Sequence, residues 1–368
     1  MGIATNIGRP DEGPGLGRGR GIRVLVVDDS LIVRSAFSRL VEQTQGLVLA
    51  GAVSTAEDAL QLLASEHVNV ILLDLEMPGM GGLGALPKMI QRASEAKILV
   101  VSSHAKDGAE ATVEALSLGA ADTLQKPSSG GFDQAYREVL VGKILALGRK
   151  PLRRAATAAT TPETPVPALR PASRQRARVL AIGASTGGIH ALGQLFGVLP
   201  RDLGIPILVT QHLPHSFNEA FRNQLQDVSG LPAVAAEDGQ PLLPGRIAVA
   251  PGDAHMVVVE SGSGHAIKLD RRPVPSGCMP SLDPMFASLA LTHGPAALGV
   301  VLTGMGRDGT DGAFELVEAG GTLLVQNEAS SAVWGMPGSI ARAGLAAAIL
   351  HPFDLAARIA AAAGVQTA

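Results

Sequence analysis

Short, mostly apolar runs alternate with helix-spaced segments along much of this chain, and that alternation leaves few architectures open. Ile22–Val27 is the first such run, and Asp28, Asp29 and Ser30 come directly after it. An apolar run of this length ending in acids reads as a parallel strand buried on both faces and meeting a loop. After it, Leu31, Ile32, Phe37, Leu40 and Val41 keep helical spacing. Strands are expected next at Leu47–Val53, Val68–Leu73, Lys97–Val101 and Ala121–Leu124. Helices are expected at Ala56–Ala64, Leu83–Ala93, Ala109–Leu118 and Phe132–Leu147. Five strands alternating with five helices predict an α/β domain built on a doubly wound parallel sheet.

The pattern stops at residues 148–178. This stretch carries Pro151, Pro162, Pro165, Pro167 and Pro171 among Ala, Thr and several Arg, with no apolar face. It reads as a semi-extended, solvated linker. Residues 1–21, rich in Gly and without periodicity, read as a flexible leader. From Val179 the alternation resumes and runs to about residue 364, with a strand-rich stretch between Arg246 and Leu269. A second α/β domain, with a mainly parallel sheet, is expected over 179–364. The length of 368 residues suits two domains and a linker.

Composition excludes several functions. Net charge is −3 and aromatics make up 3% of residues, so neither a basic footprint nor stacking rings for nucleic acid are present. Cys278 is the only cysteine, which rules out an internal disulfide and fits a reducing, cytoplasmic setting. No apolar run approaches the roughly 18 residues of a membrane-spanning helix.

In doubly wound sheets, functional residues gather at the carboxyl ends of strands. In the first domain these ends carry Asp28, Asp29, Asp74 and Ser102, with Lys126 just after the fifth strand. Three converging carboxylates repel one another unless a hard cation such as Mg²⁺ lies among them. A carboxylate beside Mg²⁺ can accept a phosphoryl group, with Ser102 and Lys126 holding its oxygens. Residues 22–147 resemble the receiver domain of two-component response regulators, which has a flavodoxin-like fold. The resemblance implies that Asp74 is the phosphoacceptor and that a sensor histidine kinase is the phosphodonor. It implies Mg²⁺ on Asp29 and Asp74, with Asp28 and the Glu76 backbone carbonyl contributing. Receivers usually place an aromatic three residues before the lysine; here that position is Thr123.

In the second domain, the stretch Ile182-Gly183-Ala184-Ser185-Thr186-Gly187-Gly188 joins a strand to a helix. Its glycines permit a sharp turn and close approach of a substrate, and the helix start offers free amides. A phosphate cradle is the other reading of this local pattern. His212 and Asp308 come after two further strands, so Ser185, His212 and Asp308 share one sheet edge, as a nucleophilic triad requires. The order Ser, His, Asp differs from that of the α/β-hydrolases. His212 and His215 are three residues apart, but Pro214 lies between them and no third ligand is near in sequence, which argues against zinc there. Cys278 reads as a small, partly buried residue and Trp334 as packing.

Residues 179–364 resemble the catalytic domain of chemotaxis protein-glutamate methylesterases (the CheB family). Gly183–Gly188, Gln211–Pro214, Ala250–Gly252, Pro280–Asp283, Leu302–Gly309 and Asn327–Pro337 carry the resemblance. It implies hydrolysis of glutamyl methyl esters, and often deamidation of glutamines, on chemoreceptor signalling helices, without a cofactor in this domain. Ser185 would be nucleophile, His212 general base and acid, Asp308 its orienter, and the Thr186 and Met305 amides oxyanion donors. Met279 stands where the family commonly has a basic residue, and Pro284 where a small aliphatic is usual. An output domain that only binds a partner, or the same enzyme on receptors unrelated to motility, are the alternatives.

Overall fold

The structure, a computed structural model, describes residues 21–102, 106–126, 132–149, 167–262 and 264–365. The expected leader, apart from Gly21, and residues 150–166 of the expected linker lie outside these.

The first domain keeps the strand–helix alternation: β1 (Ile22–Val27), α1 (Leu31–Gln43), β2 (Leu47–Val53), α2 (Ala56–Leu62), β3 (Val70–Asp74), α3 (Gly81–Arg92), β4 (Lys97–Ser102), α4 (Lys106–Leu118), β5 (Asp122–Gln125) and α5 (Gln134–Gly148). The sheet order is β2-β1-β3-β4-β5, all parallel. β3 and Val24–Val27 of β1 are fully buried, because helices cover both faces. Ser30 caps α1, its side chain accepting from the Val33 amide, which ends the strand's loop immediately after the acids. The chain reverses its winding between β1 and β3, so Asp28, Asp29 and Asp74 flank that crevice.

The second domain holds β6 (Val179–Ala184), α6 (Gly188–Phe196), β7 (Ile207–Gln211), α7 (Asn218–Ser229), β8 (Ala233–Ala235), β9 (Ile247–Val249), β10 (His255–Ser261), β11 (Gly264–Asp270), α8 (Leu282–Thr292), β12 (Ala297–Val301), α9 (Thr310–Glu318), β13 (Thr322–Gln326), α10 (Met336–Arg342), β14 (Ala348–Leu350) and α11 (Pro352–Ala362). Seven strands form one parallel sheet in the order β14-β13-β12-β6-β7-β9-β8, and β10–β11 is a separate antiparallel hairpin. Winding reverses between β6 and β12, which places the end of β6 at the crevice. β8 and β14 are not legible in sequence: each is three residues long and half-buried. Pro284 sits in the first turn of α8, where a missing amide costs no helix bond.

Residues 167–178, read from sequence as solvated linker, are attached to the second domain. Amides of Arg170, Ala177 and Arg178 donate to the carbonyls of Ala346, Ala362 and Ala296, and the Ser173 amide donates to the Thr322 hydroxyl. Backbone bonding of this kind needs no apolar side chain, so hydrophobic patterning carries no signal for it.

The two domains pack together. α4 lies against α6 and α7. Ala109, Val113 and Leu116 share one buried apolar cluster with Ile189, Leu192, Phe217 and Phe221. Among the described residues no helix is long and apolar enough to cross a membrane.

Candidate active site

Asp28, Asp74 and Ser102 are each about 2% exposed or less, whereas Asp29 faces solvent. The three carboxylates lie within 4.8 Å of one another. Lys126 Nζ is 2.5 Å from Asp74 Oδ2 and 3.0 Å from Asp28 Oδ2. The Glu76 amide donates to Asp74 Oδ1 at 3.1 Å. Burial pushes the Asp74 carboxyl up, and Asp28 adds to this; the bond and charge of Lys126 do not fully reverse it. Burial alone would lower Lys126, but its bonds to Asp74 and Asp28 hold the ammonium above its ordinary range. Both shifts favour retained protons, as expected where two buried carboxylates face one cation. Among the described residues the buried Ser102 hydroxyl has no hydrogen-bond partner. An acceptor-rich pocket short of positive charge, with an idle hydroxyl beside it, fits a hard divalent cation and a phosphoryl group.

At the second crevice, Ala184 pairs with Gln211 in the β6–β7 register, so Ser185 and His212 leave the sheet side by side. Gln211 Nε2 ties them, donating to the Ser185 carbonyl at 2.9 Å and the His212 carbonyl at 3.2 Å. The Ser185 amide donates to the Thr303 carbonyl. Two glycines fix this corner. Gly187 has φ +77°, in the left-handed region. At Gly304 a Cβ would come within 2.8 Å of Ser185 Cβ, so the β12 loop can back the serine only without a side chain.

His212 Nε2 bonds Asp308 Oδ2 at 2.9 Å, and Asp308 is 2% exposed. Asp308 accepts three further bonds: from Ser276 Oγ at 2.8 Å, Ser281 Oγ at 2.6 Å and the Leu282 amide at 2.8 Å. Burial would raise this carboxyl, but the bonds from His212, Ser281 and Leu282 outweigh it and hold it below the usual carboxylate range. Among the described residues, Ser185 Oγ and His212 Nδ1 have no hydrogen-bond partner, and the Thr186 and Met305 amides donate to no acceptor. The corner thus presents a hydroxyl, a ring nitrogen and two idle amides.

Behind the carboxylate, Ser281 is itself held by a second histidine. The Ser281 amide donates to His255 Nδ1 at 2.9 Å, and His255 Nε2 contacts the Arg272 carbonyl at 2.9 Å. Both ring nitrogens are therefore taken by backbone, and both residues are fully buried. Ser281 braces Asp308 and His255 holds the Ser281 backbone in turn; both are buried away from a substrate. Sequence reading missed Ser276, Ser281 and His255, although the Ser281-Leu282-Asp283 step before a helix is a visible cap signal.

The remaining candidates fall elsewhere. His215 is exposed and 3.9 Å from Asp253, and among the described residues it joins His212 in no ligand cluster. His190 Nδ1 contacts the Ser117 carbonyl of the first domain at 2.9 Å. Trp334 Nε1 donates to the Gln326 carbonyl, and Arg342 lies over its ring. Burial and the Asp308 charge push the Cys278 thiol up, so it stays protonated and inert as a nucleophile.

The first domain touches the residues next to Ser185. Thr186 Oγ1 donates to Asp122 Oδ2 at 2.6 Å, and Lys143 Nζ lies 2.6 Å from the same oxygen. The Gly187 amide donates to the Ala121 carbonyl at 2.6 Å. Beside these contacts is a cavity of about 570 Å³, lined by Thr123, Lys126, Tyr136 and Lys143 on one side and His212 and Phe217 on the other.

Comparison with known proteins agrees with this division. A CheB methylesterase family model matches residues 180–359, and a response regulator receiver domain model matches residues 24–131. The chain is 44% identical over 340 residues to protein-glutamate methylesterase/protein-glutamine glutaminase 2 of Caulobacter vibrioides, covering 90% of this chain and 96% of that one. It is 39% identical over 367 residues to protein-glutamate methylesterase/protein-glutamine glutaminase 1 of Rhodospirillum rubrum, covering 92% and 94%. The crystal structure of the Thermotoga maritima CheB methylesterase catalytic domain is 31% identical, covers 50% of this chain and 98% of that one, and has a TM-score of 0.49.

Proposed function

The chain belongs to the CheB family of response-regulator methylesterases, and on that premise we propose that it demethylates glutamyl methyl esters, and deamidates glutamines, on chemoreceptor signalling helices in the cytoplasm. The observation that carries this reading is the His212–Asp308 bond of 2.9 Å beside Ser185. A surface that only bound a partner would have no use for a buried carboxylate kept ionised against an imidazole.

His212 takes the Ser185 proton at Nδ1 while Nε2–H stays on Asp308, whose charge stabilises the imidazolium. The Ser185 oxygen attacks the ester carbonyl. The idle Thr186 and Met305 amides receive the oxyanion. His212 returns its proton to the leaving methanol, and water then hydrolyses the glutamyl-enzyme by the reverse proton path. Incubation of the phosphorylated chain with membranes carrying methylated receptors releases methanol; no release overturns the assignment.

The acidic pocket of the first domain is the phosphorylation site, with Asp74 as acceptor and a sensor histidine kinase as donor. Asp28, Asp29, Asp74 and the Glu76 carbonyl would hold Mg²⁺. When bound, Mg²⁺ neutralises the phosphoryl oxygens during transfer. Lys126 and the Ser102 hydroxyl hold those oxygens afterwards. Asp74→Asn therefore keeps the basal esterase rate when acetyl phosphate and Mg²⁺ are added, while the parent chain accelerates. Acceleration of both proteins would remove Asp74 from this role.

Unphosphorylated, the receiver restrains Thr186 and Gly187, the two residues after Ser185. The Thr186–Asp122, Gly187–Ala121 and His190–Ser117 bonds, at about 1 kcal/mol each, favour this closed arrangement. Asp122→Ala removes one bond and leaves Lys143 without its partner. Its unphosphorylated methanol release rises about fivefold or more, measured on the same membranes. An unchanged rate would show that Asp122 does not hold the site shut.

A further inference from the structure

The geometry points to a zinc site formed by His212, Cys278 and Asp308, whose occupation switches the esterase off. The three residues come from the loops after β7, before α8 and after β12, and no two are close in sequence. One ligand atom from each lies within 4.8 Å of the others. Thiolate, imidazole and carboxylate together are the donor set of a borderline-soft cation, and Mg²⁺ would refuse the sulfur.

The dimensions suit tetrahedral zinc. Bonds of roughly 2.3 Å to sulfur and 2.0–2.2 Å to nitrogen and oxygen require donor–donor edges of about 3.3–3.6 Å. His212 Nε2 and Asp308 Oδ2 are 2.9 Å apart and need to open by only about half an ångström. The Cys278 side chain has to move in to complete the set, from within 4.8 Å of the other two ligand atoms. It is half-buried, and among the described residues its sulfur has only a long contact of 3.9 Å to the Ser276 carbonyl to give up. The outer shell is already built. Ser276, Ser281 and the Leu282 amide hold the carboxylate in place, as outer donors do in metal sites. His212 lines the interdomain cavity, which supplies a route for the ion.

Binding costs the enzyme its base. The Cys278 thiol loses one proton to solvent. The imidazole stays neutral, its proton moving from Nε2 to Nδ1 as Nε2 takes the metal. Nδ1 then carries hydrogen and cannot accept the Ser185 proton, and the Asp308 charge is spent on zinc. One thiolate and one carboxylate neutralise Zn²⁺ fully, and water completes the tetrahedron. The site itself depends on geometry alone; its inhibitory effect rests on His212 being the general base.

The test uses the tag-free full chain with Zn²⁺ and Co²⁺ as probes. Since Cys278 is the only cysteine, a near-ultraviolet thiolate-to-cobalt charge-transfer band reports on this site and not on the receiver acids. The parent chain gains the band on Co²⁺ addition; Cys278→Ala and the isosteric Cys278→Ser do not. Zinc slows methanol release by the parent at least about tenfold, at a free concentration that leaves both variants within about twofold of their metal-free rates. Chelation restores the parent. Absence of the band, or equal inhibition of parent and variants, overturns the site. A band without inhibition overturns the switch. A parent chain inactive before any metal is added would instead overturn the esterase reading, and the cobalt band would still decide the site.

Discussion

Ser185→Ala stops methanol release, lowering kcat by about 10⁵–10⁶-fold, without unfolding the protein. The two halves of this result have separate causes. On the proposed mechanism the hydroxyl supplies the attacking oxygen, and the neighbouring candidates do not stand in for it: Ser281 is fully buried and bonded to Asp308, and the Cys278 thiol is held protonated. The fold survives because Ser185 is anchored through its backbone, by its amide to Thr303 and its carbonyl to Gln211. Its hydroxyl has no bond to lose among the described residues, so stability changes by less than about 1 kcal/mol. Methanol release and thermal unfolding measured on the same preparation check both halves. Turnover within tenfold of the parent would remove Ser185 from the mechanism, and an unfolded variant would leave the activity loss unexplained.

Asp308→Asn has the next largest effect, a fall in kcat of about 10³–10⁴-fold with KM little changed. The carboxylate accepts on both oxygens: Ser276 and Ser281 hydroxyls on Oδ1, the Leu282 amide and His212 on Oδ2. An asparagine has one oxygen to give. The Leu282 N–H cannot turn, whereas hydroxyls can accept as well as donate. The amide oxygen therefore faces Leu282 and His212, and the NH₂ faces the two serines. His212 keeps its orientation and loses only the negative charge that stabilises its protonated form. The signature is a kcat loss with normal receptor binding. A variant with raised KM and unchanged kcat would make Asp308 a docking residue, and Ser276→Ala, which removes one donor and no charge, serves as the mild control.

Where the candidate residues stand on the sheets was readable because buried parallel strands are conspicuous in a sequence. Covered on both faces, β1, β3, β6, β7 and β12 read as apolar runs, and the residues just past each run stand at the carboxyl edge. Asp28, Asp74, Ser185 and His212 are placed by that rule, and Asp308 lies further along the loop after β12. Edge strands β8 and β14 escaped because three half-buried residues carry no period. Residues 167–178 escaped because their attachment runs through backbone groups.

Two parallel α/β sheets, and the chemical groups at their carboxyl edges, are thus written in the chain alone, since strand burial and strand direction come from apolar runs and crossover helices. The partners of those groups are not, and they emerge only once the chain is folded. Ser276, Ser281 and Leu282 reach Asp308 from 32, 27 and 26 residues away, Asp122 reaches Thr186 from another domain, and Cys278 arrives beside His212. Such contacts are set by how loops close over a finished sheet. Loop paths depend on packing and hydrogen-bond satisfaction across the fold, and no periodicity in the chain records them.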